Sequence, residues 1–125
     1  MPQVSLAIPP QPELVRTARL VAGAAARRCG VDEAILDEVR LAVGEACARA
    51  VLRHTESGVG ADVRLELRDD DSIFAVDVHD SAAASQDSDE DELALAVITA
   101  LAADSSVEQV DSGTVVHMSW PTGTP

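Results

Sequence analysis

The sequence predicts an α+β two-layer sandwich, with three helices on a mostly antiparallel sheet of roughly five strands. Three observations lead there. Three segments have the length and composition of helices, two of them with apolar residues at helical spacing. Short Val- and Ile-rich segments alternate apolar with polar positions. Turn signals join those short segments into hairpins, which makes the pairing antiparallel. The chain has 125 residues, 46% of them hydrophobic. That is the size of one domain with one core, and we read residues 1–125 as a single unit. Phe74 and Trp120 are its only aromatic residues, so the core must be built from Ala, Val, Leu and Ile.

Val4 to Ile8 alternates and stops at Pro9-Pro10, as a strand closed by prolines does. Glu13 to Cys29 reads as the first helix, with Leu14, Ala18, Val21, Ala22, Ala25 and Cys29 at helical spacing and Gly30 as its stop. Asp32 is placed to cap a second helix that runs to about His54. Its apolar stripe is Ile35, Val39, Ala42, Val43, Ala46 and Ala50. Gly58 and Gly60 mark a loop. Val63, Leu65 and Leu67 alternate with Arg64, Glu66 and Arg68 in a half-buried strand, and Asp69-Asp70-Asp71 turns it into a partner from Ile73 to Val78. Residues from about 81 to 92 start small and become strongly acidic, a composition that predicts a mobile loop. Leu93 to Ala102 reads as a third helix, and Val107–Val110 with Thr114–Trp120 as a closing hairpin. The tail from Pro121 is expected to fray.

The formal net charge is −13, and all nine basic residues are arginine. Such a chain lacks the positive footprint that binding to a phosphate backbone requires, so direct contact with nucleic acid or an anionic membrane is not expected. A basic protein partner fits better. Cys29 and Cys47 lie in apolar helical stretches and read as buried free thiols. The three histidines show no metal-ligand spacing, so no metal site is expected. No signal peptide or membrane-spanning stretch is seen, and we expect a cytoplasmic protein.

The segment from Asp37 to Val51, DEVRLAVGEACARAV, resembles the helix that carries the N-box of bacterial anti-sigma serine kinases in the GHKL ATPase superfamily. Their usual pattern there is LAVxEAxxNA. The order of elements matches as well, so the resemblance implies the Bergerat fold of that superfamily. In the family the N-box glutamate is a general base, and an asparagine one turn later helps hold magnesium. Glu45 stands at the first position and Arg49 at the second. Arginine has no acceptor for a metal. Glu45 is therefore either the base of an active enzyme or one half of a solvated pair with Arg49, worth about 0.2–0.5 kcal/mol.

An Asp-x-Gly-x-Gly stretch follows in the family, and its aspartate anchors adenine. Here Asp80 is kept, while Ala82 and Ala84 replace the glycines. Asp80 reads either as the adenine anchor or as a turn residue at a strand end. By register from Thr99-Ala100-Leu101-Ala102, the glycines that wrap the phosphates correspond to Glu92 and Ala94. Carboxylates at that helix start would repel a triphosphate. Gly113-Thr114 occupies the position where a threonine can reach adenine; a glycine–threonine pair is also ordinary in a hairpin.

The resemblance implies an anti-sigma factor that binds an alternative sigma factor, is released by a STAS-type antagonist and forms a homodimer. The altered positions predict lost or weak binding of ATP and magnesium, and hence no cofactor. Two alternatives stay open. One is an active ATP-dependent serine kinase acting on that antagonist, and the other is a degenerate interaction domain with a different partner.

Overall fold

The computed structural model describes residues 3–82 and 89–123. Strand β1 (Gln3–Ile8) leads through a 3-10 turn at Pro12–Leu14 into α1 (Val15–Cys29). A second 3-10 turn, Glu33–Ile35, opens α2 (Leu36–Ser57). The hairpin of β2 (Val63–Asp69) and β3 (Ile73–Asp80) follows, then α3 (Asp89–Leu101), and β4 (Asp104–Val110) and β5 (Gly113–Pro121) complete the sheet. Its order is β1-β2-β3-β5-β4, antiparallel at every pairing. Three helices on a five-stranded antiparallel sheet are the predicted sandwich.

Local chemistry sets the helix ends. The Asp32 carboxylate accepts a hydrogen bond of 2.9 Å from the Ala34 N–H, as its capping role requires. Gly30 ends α1 with φ of 91°, a left-handed turn that costs glycine little. The α2 stripe faces the sheet: Val39, Ala42, Val43, Ala46 and Ala50 are buried. Ala18, Ala22 and Ala26 of α1 join them over Leu65, Leu67, Val76, Val78, Val116 and Met118. The small alanine faces let helix and sheet backbones approach closely, which replaces the volume that aromatics usually supply. Both cysteines are free. Burial pushes the Cys47 thiol up to about 12 and also raises that of half-buried Cys29.

Several boundaries differ from the sequence reading. The acidic segment does not stay a loop to residue 92, because α3 begins at Asp89. Its first turn is Asp89, Glu90, Asp91 and Glu92, and carboxylates are favoured there by the unsatisfied N–H groups of a helix start. The remainder of the expected loop, residues 83–88, lies outside the described residues. Strand β4 starts at Asp104 rather than Val107. The chain also stays tied beyond Pro121. The Thr122 N–H donates to the Ser72 carbonyl at 2.9 Å, and the Gly123 N–H to the Gly30 carbonyl at 2.7 Å.

On the sheet face away from the helices, His117 of β5 bonds Asp77 of β3 through Nδ1 and Glu108 of β4 through Nε2, each at 2.8 Å. Two carboxylate partners require both ring nitrogens to donate, which is the imidazolium form. Partial burial opposes that charge, but the bonds to Glu108 and Asp77 outweigh it and raise the His117 pKa. A raised folded-state value means that the clasp contributes fully below the unfolded value of about 6.5 and is lost as pH rises through the folded value. His79 is displaced the other way, by burial and then Arg64, so its contribution is lost as pH falls. Thermal melts of the wild type and His117→Asn from pH 5.5 to 8.5 should converge as pH rises. A gap that is constant across that range would show that the clasp does not titrate with folding.

Candidate functional site

The end of β3, the start of β5, the second half of α2 and the first turn of α3 meet at one place. Asp80 is the last residue of β3 and pairs with Thr114 of β5. Glu45, Arg49 and Arg53 lie at successive i, i+4 positions of α2, so they share a face. That face points at Asp80 and at α3.

Arg49 does not extend along α2 toward Glu45. It turns inward, donating from Nε to Asp91 Oδ1 at 2.7 Å and from Nη1 to Thr114 Oγ1 at 3.0 Å. Its Nη1 also stands 3.7 Å from Asp80 Oδ2. Arg53 donates from Nε to Asp80 Oδ2 at 3.1 Å and from Nη2 to the Ala82 carbonyl at 3.4 Å. The Thr114 hydroxyl donates to the same Asp80 Oδ2. Asp80 Oδ1 accepts from the Ala82 N–H at 3.1 Å and the Thr114 N–H at 3.4 Å. Both carboxylate oxygens of Asp80 are thus engaged by the protein itself.

The cluster is buried and balanced in charge. Side-chain exposure is 5% for Arg49, 9% for Arg53 and 1% for Asp80. Two guanidiniums face the carboxylates of Asp80 and Asp91, so the formal charges cancel. That balance is what lets four ionised groups leave water together. No buried side-chain nitrogen or oxygen among the described residues lacks a partner. His54, wholly buried one residue after Arg53, pins the neighbouring backbone. Its Nδ1 bonds the Ala61 carbonyl at 2.9 Å, and its Nε2 accepts the Ser81 N–H at 2.8 Å.

The structure gathers most of the residues singled out from the sequence. Glu45, Arg49 and Ala94 line one cavity of about 170 Å³ between α2 and α3, together with Ala48, Leu52, Arg53, Glu56, Glu90 and Asp91. Asp80, Thr114 and Ala82 lie buried behind it. Glu45 is half-buried and makes no ion pair among the described residues, so the Glu45–Arg49 pair, one of the two readings of Glu45, does not form. Glu92 points to solvent, and Ala84 lies outside the described residues. Sequence reasoning missed Arg53, Asp91 as a partner of Arg49, and His54. The spacing Glu45–Arg49–Arg53 was a usable signal for the first of these.

Comparison with known proteins agrees with this architecture. A search of curated proteins gives no match. Among solved structures, the crystal structure of the RsbU and RsbW domains of Rv1364c from Mycobacterium tuberculosis superposes with a TM-score of 0.75. The two are 17% identical, and the match covers 98% of this chain and 34% of that one, so the likeness is one of fold. This chain spans about a third of that protein's length. Residues 8–120 match the family described as the histidine kinase-like ATPase domain. With the helix of Glu45 laid across the sheet and the match running from β1 to Trp120, this chain belongs to the histidine kinase-like ATPase domain family.

Proposed function

We propose that this single domain is a partner-switching regulator of the anti-sigma type. In this reading it sequesters an alternative sigma factor, yields it to a STAS-type antagonist and works as a homodimer. Its own side chains take the place of nucleotide and magnesium.

One observation carries the reading: Asp80, at the adenine-anchoring position, has both oxygens committed to Arg53, Thr114 and the Ala82 N–H. An adenine amino group would have to displace a buried, charge-assisted bond to reach it. The metal side fits no better. Arg49 offers only donors, and its guanidinium is already bonded to Asp91 and Thr114. The donor set present does not suit the ion, so we derive no phosphoryl-transfer step from it. The RsbW domain in the fold match supports a partner-switching role, and the net charge of −13 favours a basic partner.

Calorimetry with ATP and magnesium is expected to show no binding tighter than about 1 mM. A sigma factor co-purified with the chain should stay bound whether or not nucleotide is added. Micromolar ATP binding would overturn the filled-site reading. Transfer of label to a STAS partner that disappears in Glu45→Ala would restore the kinase. Failure to retain any sigma factor would leave the third reading, an interaction domain with another partner.

A further inference from the structure

The two halves of α3 are held by different forces. In the C-terminal half, Ile98 is buried and Leu101 with Ala102 packs on the core. The Trp120 indole also donates to the Leu101 carbonyl at 3.1 Å. Leu95, half-buried, is the first residue of the helix that packs on the core. Before it there is no buried apolar side chain. The N-terminal half instead runs beside the cavity of about 170 Å³, whose lining there is mostly charged. What reaches across from α2 is the Arg49 guanidinium, bonded to Asp91 at 2.7 Å with the two side chains 5% and 16% exposed.

We propose that Arg49 and Asp91 form a latch that holds the N-terminal half of α3 on α2 without any ligand, with the hinge near Leu95. The latch sits on the outermost member of the buried cluster. Its opening separates the N-terminal half of α3 from α2 but leaves Asp80 paired to Arg53, so the rest of the domain has no reason to unfold. An open latch uncovers Arg49 and Thr114 from the α3 side and widens the cavity. Local opening of this kind needs few buried apolar contacts, and α3 has none before Leu95. The pair is too buried for salt to screen it as a surface pair, so closure is the resting state. This inference concerns the motion of α3 and stands whether or not the partner is a sigma factor.

Hydrogen exchange with mass spectrometry tests it on the whole chain. The first four N–H groups of a helix have no intrahelical acceptor, so the informative amides are 93–97, whose bonds run back to residues 89–93. In Asp91→Asn these should exchange about tenfold faster or more than in the wild type. Amides of residues 99–101 and of β3 and β5 should keep their rates. Glu92→Gln removes a charge from the same turn at an exposed position and should match the wild type. Three results would each overturn the latch. One is equal exchange at 93–97 in wild type and Asp91→Asn, and another is equal acceleration by Glu92→Gln. The third is loss of protection along the whole helix or the whole fold in Asp91→Asn, which would mean that no hinge exists.

Discussion

Asp80→Ala is expected to cost about 3–5 kcal/mol of folding stability in the absence of any ligand. The reason lies in what remains. Arg49 and Arg53 are nine-tenths buried, and arginine cannot shed its charge to escape a dry environment. Removing Asp80 leaves two positive charges facing Asp91 alone and strips the Thr114 hydroxyl of its acceptor. Since a domain of this size has about 5–15 kcal/mol in total, the loss is a large part of it. Urea denaturation of the two proteins measures the difference. The opposite expectation attaches to an aspartate reserved for a ligand, whose replacement costs little in the free protein. A change below about 1 kcal/mol would therefore mean that Asp80 is not spoken for. Replacing the cluster as a unit, with Asp80→Leu, Arg49→Met and Arg53→Met together, should restore much of the stability, because no unpaired charge is left behind.

Gly113→Ala is the second change expected to disrupt the chain. An added Cβ would lie 1.9 Å from the Asp80 carbonyl oxygen, 2.7 Å from its carbonyl carbon and 3.0 Å from Oδ1. Two of these obstacles are backbone, which cannot rotate away as a side-chain tip would. Either β5 slides away from β3 at this point or the Asp80 peptide turns. Both moves pull Thr114 off Asp80. Overpacking typically costs about 1–3 kcal/mol, and the upper end applies where the backbone must yield. Gly60→Ala is the matched control, since nothing lies within 4 Å of its added Cβ. Melting temperatures that fall equally in the two variants would refute the steric argument.

The sequence reveals these features unevenly. The α2 stripe from Val39 to Ala50 was legible because helical periodicity and burial coincide there. The β2–β3 hairpin was legible because Val63, Leu65 and Leu67 of β2 keep a period of two and Asp69-Asp70-Asp71 signals the turn. The start of β4 was not: Asp104, Ser105 and Ser106 carry no alternation, and an edge strand needs none when its partner β5 supplies the register. The start of α3 was hidden because an acidic run suits a disordered segment and a helix N-terminus alike. The candidate site was half legible. Glu45, Arg49, Asp80 and Thr114 were found as positions, but the engagement of Asp80 by Arg53 spans 27 residues of sequence. An arginine on a helix reads as solvated until the strand end that buries it is known. The inward turn of Arg49 likewise depended on Asp91, 42 residues away.

Trp120 gives the molecule a built-in optical reporter. It is the only tryptophan, and the chain has no tyrosine, so emission excited near the red edge comes from one indole. That ring is buried, lies 6.3 Å from Phe74 and donates to the last turn of α3. Its colour and quenching therefore sense whether the C-terminal end of α3 is seated. Motion confined to the first turns of α3 leaves the emission unchanged, while release of the whole helix admits water and shifts it to longer wavelength. A single steady-state spectrum, taken on the native chain without a label, can thus tell partial from complete detachment of one helix while a partner is titrated in.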